Sequence, residues 1–165
     1  MLKNFSCSVT SKCRTGLTAL CLALLTTAVP THASGQDQTE VITPNGALSG
    51  SSQNGMDTWL GIPFATPPIG KLRWQPPAPV KPWKGNYLAR TAPAKCAQNA
   101  DLGLFASPGG SDDCLYLNVY RPAGTPANAK LPVLIWFHGG SIWVGQGVDY
   151  NPSKLVTKGG VIVVT

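Results

Sequence analysis

The sequence predicts an α/β fold in which antiparallel strands lead into a mostly parallel sheet. Residues 131–138, LPVLIWFH, form an unbroken apolar run, the pattern of a strand buried on both faces. Residues 150–160 predict a short helix, and residues 161–165, VIVVT, predict a second buried strand. A strand, a helix and a strand in this order make a βαβ unit, whose two strands run parallel.

Three earlier segments predict the antiparallel strands. Residues 40–50, EVITPNGALSG, are typical of a hairpin, with Pro44, Asn45 and Gly46 as its turn. Residues 58–65, TWLGIPFA, predict a strand that stops at Pro63. Residues 114–122, CLYLNVYRP, alternate aliphatic side chains with tyrosine and asparagine, which indicates a strand with two different faces.

The segment between these strands has a different composition. Residues 66–82 are rich in proline and therefore form neither a helix nor a central strand. Ile69, Leu72 and Trp74 would pack poorly in a linker, so we expect an ordered surface strap that its aromatic residue pins to the protein. Residues 91–113 predict a loop that carries Cys96.

Both ends of the predicted helix have recognisable signals. Asn151 is expected as the N-cap and Pro152 as the first helical residue, while Gly159 and Gly160 end the helix. The strand at 161–165 would have no covering helix and no further neighbour. We therefore expect residues 34–165 to be the N-terminal portion of a longer domain, truncated after a buried strand.

Residues 1–33 have the features of a signal peptide. Three basic residues, Lys3, Lys12 and Arg14, precede an apolar stretch at 16–29, and Thr-His-Ala at 31–33 offers small residues at the positions that a signal peptidase reads. The alternative is a membrane anchor, but the apolar stretch is shorter than the about 20 residues needed to span the hydrocarbon core. The sequence therefore predicts a secreted or periplasmic protein without a stable membrane anchor.

The charge of the chain excludes one large class of partners. The whole sequence has a net charge of +6, but three basic residues lie in the first 33, leaving ten basic against seven acidic residues, a net charge of +3. Because no run of lysine or arginine occurs, we expect no nucleic-acid partner.

The predicted mature chain has two cysteines, Cys96 and Cys114. In an oxidising compartment they allow one intramolecular disulfide, which would stabilise the fold by about 3 kcal/mol. The alternative is a pair of buried free thiols.

The most informative stretch is WFHGGSIWVGQG at 136–147. Gly140 and Gly145 have the spacing of a phosphate-binding loop, but Gln146 and Gly147 stand where such a loop needs lysine and a hydroxyl residue. A dinucleotide fingerprint fails because its third glycine is missing. An oxyanion hole, in which successive backbone N–H groups point at one oxygen, is compatible with His-Gly-Gly after a buried strand. The alternative is a plain glycine turn.

Three long stretches together resemble one family. Residues 60–83, LGIPFATPPIGKLRWQPPAPVKPW, residues 111–122, SDDCLYLNVYRP, and residues 132–147, PVLIWFHGGSIWVGQG, are similar to the type-B carboxylesterases, which include cholinesterases and para-nitrobenzyl esterases. The resemblance covers about residues 40–165. It implies the N-terminal part of an α/β-hydrolase fold and a serine esterase that needs no metal or cofactor.

The resemblance also implies roles for the glycine stretch. Gly140 and Ser141 match the positions whose N–H groups face the substrate oxygen, and Gly139 and His138 would support that loop. Ser141 stands where many members have a third glycine, and its Cβ restricts the backbone dihedrals. His138 is not expected to be the catalytic base, because in this fold the histidine follows the serine and the acid along the chain.

Other residues match structural features of the family. The resemblance implies a disulfide between Cys96 and Cys114 and an ion pair between Arg73 and Asp112. Trp143 could line a pocket or pack in the core. No G-x-S-x-G occurs in the 165 residues, so the nucleophile, the acid and the base are not in this chain.

The sequence therefore predicts a carboxylic ester hydrolase that forms an acyl-enzyme with a small-molecule ester. This chain would supply the oxyanion loop but not the catalytic triad, so the fragment alone is predicted to be inactive. The alternative is a non-catalytic binding or adhesion protein of the same fold. A downstream G-x-S-x-G with a later acid and histidine would distinguish the two.

Overall fold

The computed structural model describes residues 38–99 and 107–165, so the predicted signal peptide lies outside the described residues. Within them the chain forms two sheets and one α-helix. The strands are β1 (Glu40–Thr43), β2 (Gly46–Ser49), β3 (Ser51–Gln53), β4 (Met56–Pro63), β5 (Asn86–Leu88), β6 (Tyr116–Pro122), β7 (Val133–Ile135) and β8 (Ile162–Val164), and the helix α1 is Ser153–Gly159.

The smaller sheet has the strand order β1-β2-β5. The strands β1 and β2 form the predicted antiparallel hairpin, with Thr43 paired to Gly46 across the turn. The strand β5 then pairs with β2 in the parallel direction. The hairpin prediction is therefore confirmed. It could be made from the sequence because its signal, a proline and an asparagine followed by a glycine, is local to the turn.

The larger sheet has the order β3-β4-β6-β8-β7. Its pairs β3–β4, β4–β6 and β6–β8 are antiparallel, whereas β7 and β8 are parallel and α1 lies between them in sequence. The predicted βαβ unit and the change from antiparallel to parallel pairing are therefore confirmed. The predicted strands at 58–65 and 114–122 correspond to β4 and β6.

Two groups of apolar side chains form the described core. Leu48, Trp59 and Ala89 are buried where the two sheets meet, and Val156 of α1 packs with Tyr120 and Val163 on the larger sheet. Each large aliphatic side chain buried in this way contributes about 1.5–3 kcal/mol to stability. The helix is held against the sheet by the second group.

The buried face of β6 includes a polar side chain. Asn118 Oδ1 accepts a hydrogen bond from the Gly61 N–H at 3.0 Å, and its Nδ2 donates to Thr165 Oγ1 at 3.1 Å. Gly61 lies in a β-bulge of β4, between the paired residues Trp59 and Ile62. The asparagine therefore supplies the acceptor that the bulge removes from the strand ladder.

The prediction that residues 131–138 are buried on both faces is wrong. The strand β7 is only three residues long, and Val133 and Ile135 are 58% and 62% exposed. Phe137, just after the strand, is 86% exposed. The physical reason is position: β7 is the edge strand, paired only with β8, and no described element packs on either of its faces.

The start of α1 lies one residue later than predicted. Pro152 occupies the N-cap position and Ser153 is the first helical residue. Asn151 Oδ1 nevertheless accepts a hydrogen bond from the Ser153 N–H at 2.9 Å, so it satisfies one of the unpaired donors at the helix start. Gly160 ends the helix, as predicted, and the structure shows that it does so in the left-handed conformation.

The strap at 66–82 is ordered, but its predicted anchor is wrong. Trp74 is 92% exposed and Ile69 is also exposed. The strap is held instead by hydrogen bonds, because Thr66 donates from its N–H to Ala78 O and from its hydroxyl to Pro79 O. Beyond its end, Trp83 Nε1 donates to Ala47 O at 2.6 Å and fixes the chain to β2.

Candidate oxyanion loop

We define the glycine loop as residues 138–147. It begins just after the hydrogen bond from Trp136 N to Val164 O, which joins the end of β7 to β8. Its backbone has positive φ at three successive residues: +118° at Gly140, +56° at Ser141 and +66° at Ile142. Serine and isoleucine rarely adopt this conformation, because their Cβ atoms crowd the backbone. The loop is therefore constrained by contacts elsewhere rather than by local preference.

Two hydrogen bonds to the carbonyl of Gly140 form a tight turn in the glycine loop. Gly140 O accepts hydrogen bonds from the N–H groups of Trp143 at 2.9 Å and Val144 at 3.1 Å. A Cβ at position 140 would lie 1.9 Å from Val144 O, a distance that real Cβ atoms do not reach. Glycine is therefore required at position 140 by both its dihedral angle and its close approach to another backbone segment.

Two adjacent donors remain available at this turn. Among residues 38–99 and 107–165, none accepts a hydrogen bond from the N–H of Gly140 or Ser141. Ser141 is exposed and adopts a left-handed conformation despite its Cβ. Successive N–H groups in such a turn can donate to a single anionic oxygen.

His138 lies within the loop rather than opposite it. Its Nδ1 is 2.8 Å from Gly139 O, and in the tautomer with the proton on Nδ1 it donates to that carbonyl. A Cβ at Gly145 would lie 2.9 Å from the same nitrogen. His138 therefore contacts the backbone of the glycine loop at Gly139, and its supporting role stays a prediction.

Gln98 contacts the loop from a distant segment, and the sequence did not identify it. Its Oε1 accepts the Gly145 N–H at 2.9 Å, and its Nε2 donates to Gly145 O at 3.3 Å. The only sequence signal was its place two residues after Cys96. Nothing in that spacing indicates a contact with a residue 47 positions away.

The two predicted structural pairings are both present. Cys96 and Cys114 form a disulfide, which confirms the first and excludes the free-thiol alternative. Arg73 Nη1 forms an ion pair with Asp112 Oδ2, and both side chains are nearly half exposed. The disulfide holds the loop that follows the strap close to the start of β6, and the ion pair holds the strap itself to the same segment.

A cavity of about 420 Å³ lies between this loop segment and the glycine loop. Trp143 is 64% exposed and lines the cavity, so the core alternative for this residue is wrong. Gly140 and Ser141 do not line it, whereas Gly139 does. The cavity walls also include Cys96, Gln98, Tyr116, Asn118 and His138.

Tyr116 is the titratable group of this cavity with an altered pKa. Burial raises its pKa to about 12, and its hydrogen bond to Asp113 Oδ1, at 2.8 Å, acts in the same direction. The hydroxyl is therefore protonated at neutral pH, and it donates to Asp113. It does not act as a base under those conditions.

Neither a metal site nor a membrane span is found in the part of the chain that the structure describes. No three His, Cys, Asp or Glu side chains there are grouped so that they could hold a metal ion. The same residues include no helix with the length and apolar character to cross a membrane.

Comparison with known proteins identifies the family. The carboxylesterase family model matches residues 37–165, so this chain belongs to the carboxylesterase family. A medium-chain fatty acyl-CoA hydrolase precursor from Anas platyrhynchos is 39% identical over 165 residues, 87% of this chain and 30% of the relative. The para-nitrobenzyl esterase of Bacillus subtilis is 41% identical over 130 residues, 76% of this chain and 26% of the relative. The chain thus spans less than a third of these relatives.

Solved structures agree with this assignment. A PNB esterase structure superimposes with a TM-score of 0.70 at 39% identity, covering 77% of this chain and 27% of that one. A carboxylesterase from Geobacillus stearothermophilus gives a TM-score of 0.68 at 36% identity, with 78% and 26% covered. The two sheets and the βαβ unit are therefore part of an α/β-hydrolase fold.

Proposed function

We propose that the full-length protein containing this chain is a serine carboxylesterase, and that Gly140 and Ser141 supply its oxyanion-binding N–H groups. One observation supports this most directly: two adjacent N–H groups after β7 have no acceptor among the described residues, in a turn that only glycine can occupy at position 140. Membership of the carboxylesterase family supports ester hydrolysis as the reaction.

The proposed chemistry follows from where charge develops. A serine hydroxyl from the rest of the protein attacks the ester carbonyl carbon, and the carbonyl oxygen becomes an oxyanion. The N–H groups of Gly140 and Ser141 donate to that oxygen, which stabilises the tetrahedral intermediate by about 10²–10³ in rate for each donor. A histidine takes the serine proton during the attack and gives it to the departing alcohol; water then hydrolyses the acyl-enzyme, which releases the carboxylic acid and restores the serine.

His138 is not the proposed base. In α/β-hydrolases the serine, the acid and the histidine follow one another along the chain, and this sequence contains no G-x-S-x-G. We therefore propose that all three groups come from the rest of the protein and that His138 supports the loop.

Export is also part of the proposal. The disulfide between Cys96 and Cys114 is compatible with an oxidising compartment. We propose that residues 1–33 are removed on secretion or transfer to the periplasm. N-terminal sequencing of the exported protein should begin near residue 34, and retention of residues 1–33 would contradict this step.

Hydrolysis of a p-nitrophenyl ester tests the catalytic proposal. The full-length protein should release p-nitrophenolate and form a covalent serine adduct with a fluorophosphonate probe, detectable by mass spectrometry. The purified 165-residue chain, which lacks the nucleophile, should do neither. A full-length protein without hydrolysis and without labelling would instead favour a non-catalytic binding role.

A further inference from the structure

One side chain joins the disulfide-bonded segment to the glycine loop. Gln98 accepts the N–H of Gly145 at Oε1, 2.9 Å away, and donates from Nε2 to Gly145 O at 3.3 Å. Both backbone polar groups of one residue are therefore held by one amide. A side chain that satisfies both groups holds the two peptide groups on either side of that residue.

Gly145 in turn lies against the start of the loop. It has a φ of +103°, and a Cβ there would be 2.9 Å from Gly139 O. The preceding residue, Val144, donates its N–H to Gly140 O at 3.1 Å, and its carbonyl oxygen lies against the Gly140 Cα. A displacement of Gly145 would therefore be transmitted through Val144 to Gly140.

Gln98 is itself firmly held. Its backbone N–H donates to Gly109 O, and its carbonyl accepts the Gly109 N–H, both at 2.9 Å. The disulfide at Cys96 lies two residues earlier, and Gln98 Nε2 also donates to Cys96 O at 3.2 Å. The amide is thus anchored to a cross-linked segment that does not belong to the glycine loop.

We propose that Gln98 is a positioning residue for the oxyanion-binding N–H groups, acting through Gly145. This inference rests on the proposed function and adds a residue to it. Gln98 does not contact the oxyanion; it sets the path of the backbone whose N–H groups do. A donor displaced by about 1 Å can lower a rate by about 10²-fold. Loss of the hydrogen bonds between Gln98 and Gly145 should therefore lower kcat strongly and change KM little.

The test compares three variants of the full-length protein. Gln98→Met keeps a similar volume but removes both hydrogen bonds, and Gln98→Glu keeps an acceptor for the Gly145 N–H but loses the donor. Gln53→Met is the matched control, because Gln53 is exposed on β3, the edge of the larger sheet opposite β7 and the glycine loop. The readouts are kcat and KM for a p-nitrophenyl ester and hydrogen exchange of peptides that cover residues 138–147.

Gln98→Met should lower kcat by about 10- to 100-fold with KM within about threefold, and it should speed exchange in the glycine loop. Gln98→Glu should lie between this variant and the wild type, and Gln53→Met should match the wild type. A Gln98→Met protein that is merely less stable, with kcat within twofold well below its melting temperature, would overturn the proposal.

Hydrogen exchange separates this inference from the proposed function. If the wild type hydrolyses no ester, the proposed function fails, and the exchange data alone decide whether Gln98 positions the loop. Equal exchange of the loop in wild type and Gln98→Met then overturns the inference, and faster exchange supports it. If Gln98→Met does not fold, Gln98→Glu is used in its place. A Gln98→Glu protein whose kcat and loop exchange rates equal those of the wild type would then overturn the proposal.

Discussion

Two polar regions of this chain are built in opposite ways. Between β4 and β6, the buried Asp57 accepts hydrogen bonds from Arg121 and from the Ser52 hydroxyl, both at 2.7 Å. In the glycine loop, the N–H groups of Gly140 and Ser141 have no acceptor among the described residues. In the first region both carboxylate oxygens have internal partners, whereas the second region presents donors outward.

The difference separates stability from function. A buried charge with internal partners contributes to the fold and is not available to a ligand. An exposed donor without an internal partner adds little to the fold but can bind an anionic oxygen at no cost in rearrangement. Substitutions in the first region should therefore change the free energy of unfolding, and substitutions in the second should change kcat.

Asp57→Asn should have the largest effect on stability. The Asp57 side chain is 1% exposed and that of Arg121 is 17% exposed, so the variant would leave a partly buried arginine charge without its carboxylate partner. We expect the free energy of unfolding to fall by about 3–5 kcal/mol. Denaturation by urea, followed by tryptophan fluorescence, measures it, and a loss below about 1 kcal/mol would mean that the pair is no stronger than a surface ion pair.

Gly140→Ala should have the largest effect on the proposed activity. Its new Cβ would lie 1.9 Å from Val144 O, so the turn must move and the donors with it. In the full-length protein we expect kcat to fall by about 10²–10³-fold. Gly159→Ala is the matched control, because a Cβ there meets nothing within 4 Å. A Gly140→Ala protein with kcat within twofold of wild type would rule out the oxyanion role.

Removal of the disulfide should have an intermediate effect. Cys96 and Cys114 are 18 residues apart, and a cross-link of that length stabilises a fold by about 3 kcal/mol. The double variant Cys96→Ser/Cys114→Ser should lose about this amount in urea denaturation. The wild type in reducing agent should lose as much, and a wild type indifferent to reduction would mean that the bond is not formed in solution.

Asp112→Asn should have the smallest effect. Its ion pair with Arg73 is exposed to solvent, with side-chain exposures of 43% and 49%. We expect a loss of at most about 1 kcal/mol in the free energy of unfolding, decreasing further with added salt. A loss as large as that of Asp57→Asn would remove the distinction between the closed, buried pair and this surface pair.

Much of the fold was predictable because its signals are local. The turn after Thr43, the asparagine and proline before α1 and the glycines at its end act within a few residues of where they stand. The glycine loop and the two cysteines could be identified from the residues themselves, and the resemblance to the carboxylesterases added the expected roles within the loop. The prediction that residues 131–138 are buried was wrong. An apolar run shows that a strand could be buried, but it does not show whether another element packs against that strand.

The sequence by itself determined the order of the elements, the βαβ unit and the need for glycine after β7. Tertiary structure alone decided which distant groups meet: Arg121 with Asp57 across 64 residues, and Gln98 with Gly145 across 47. Such contacts depend on strand register and on the path of loops, which no local pattern encodes. Backbone preferences act between neighbours along the chain, whereas a hydrogen bond between remote segments exists only once the fold has brought them within 3 Å or so.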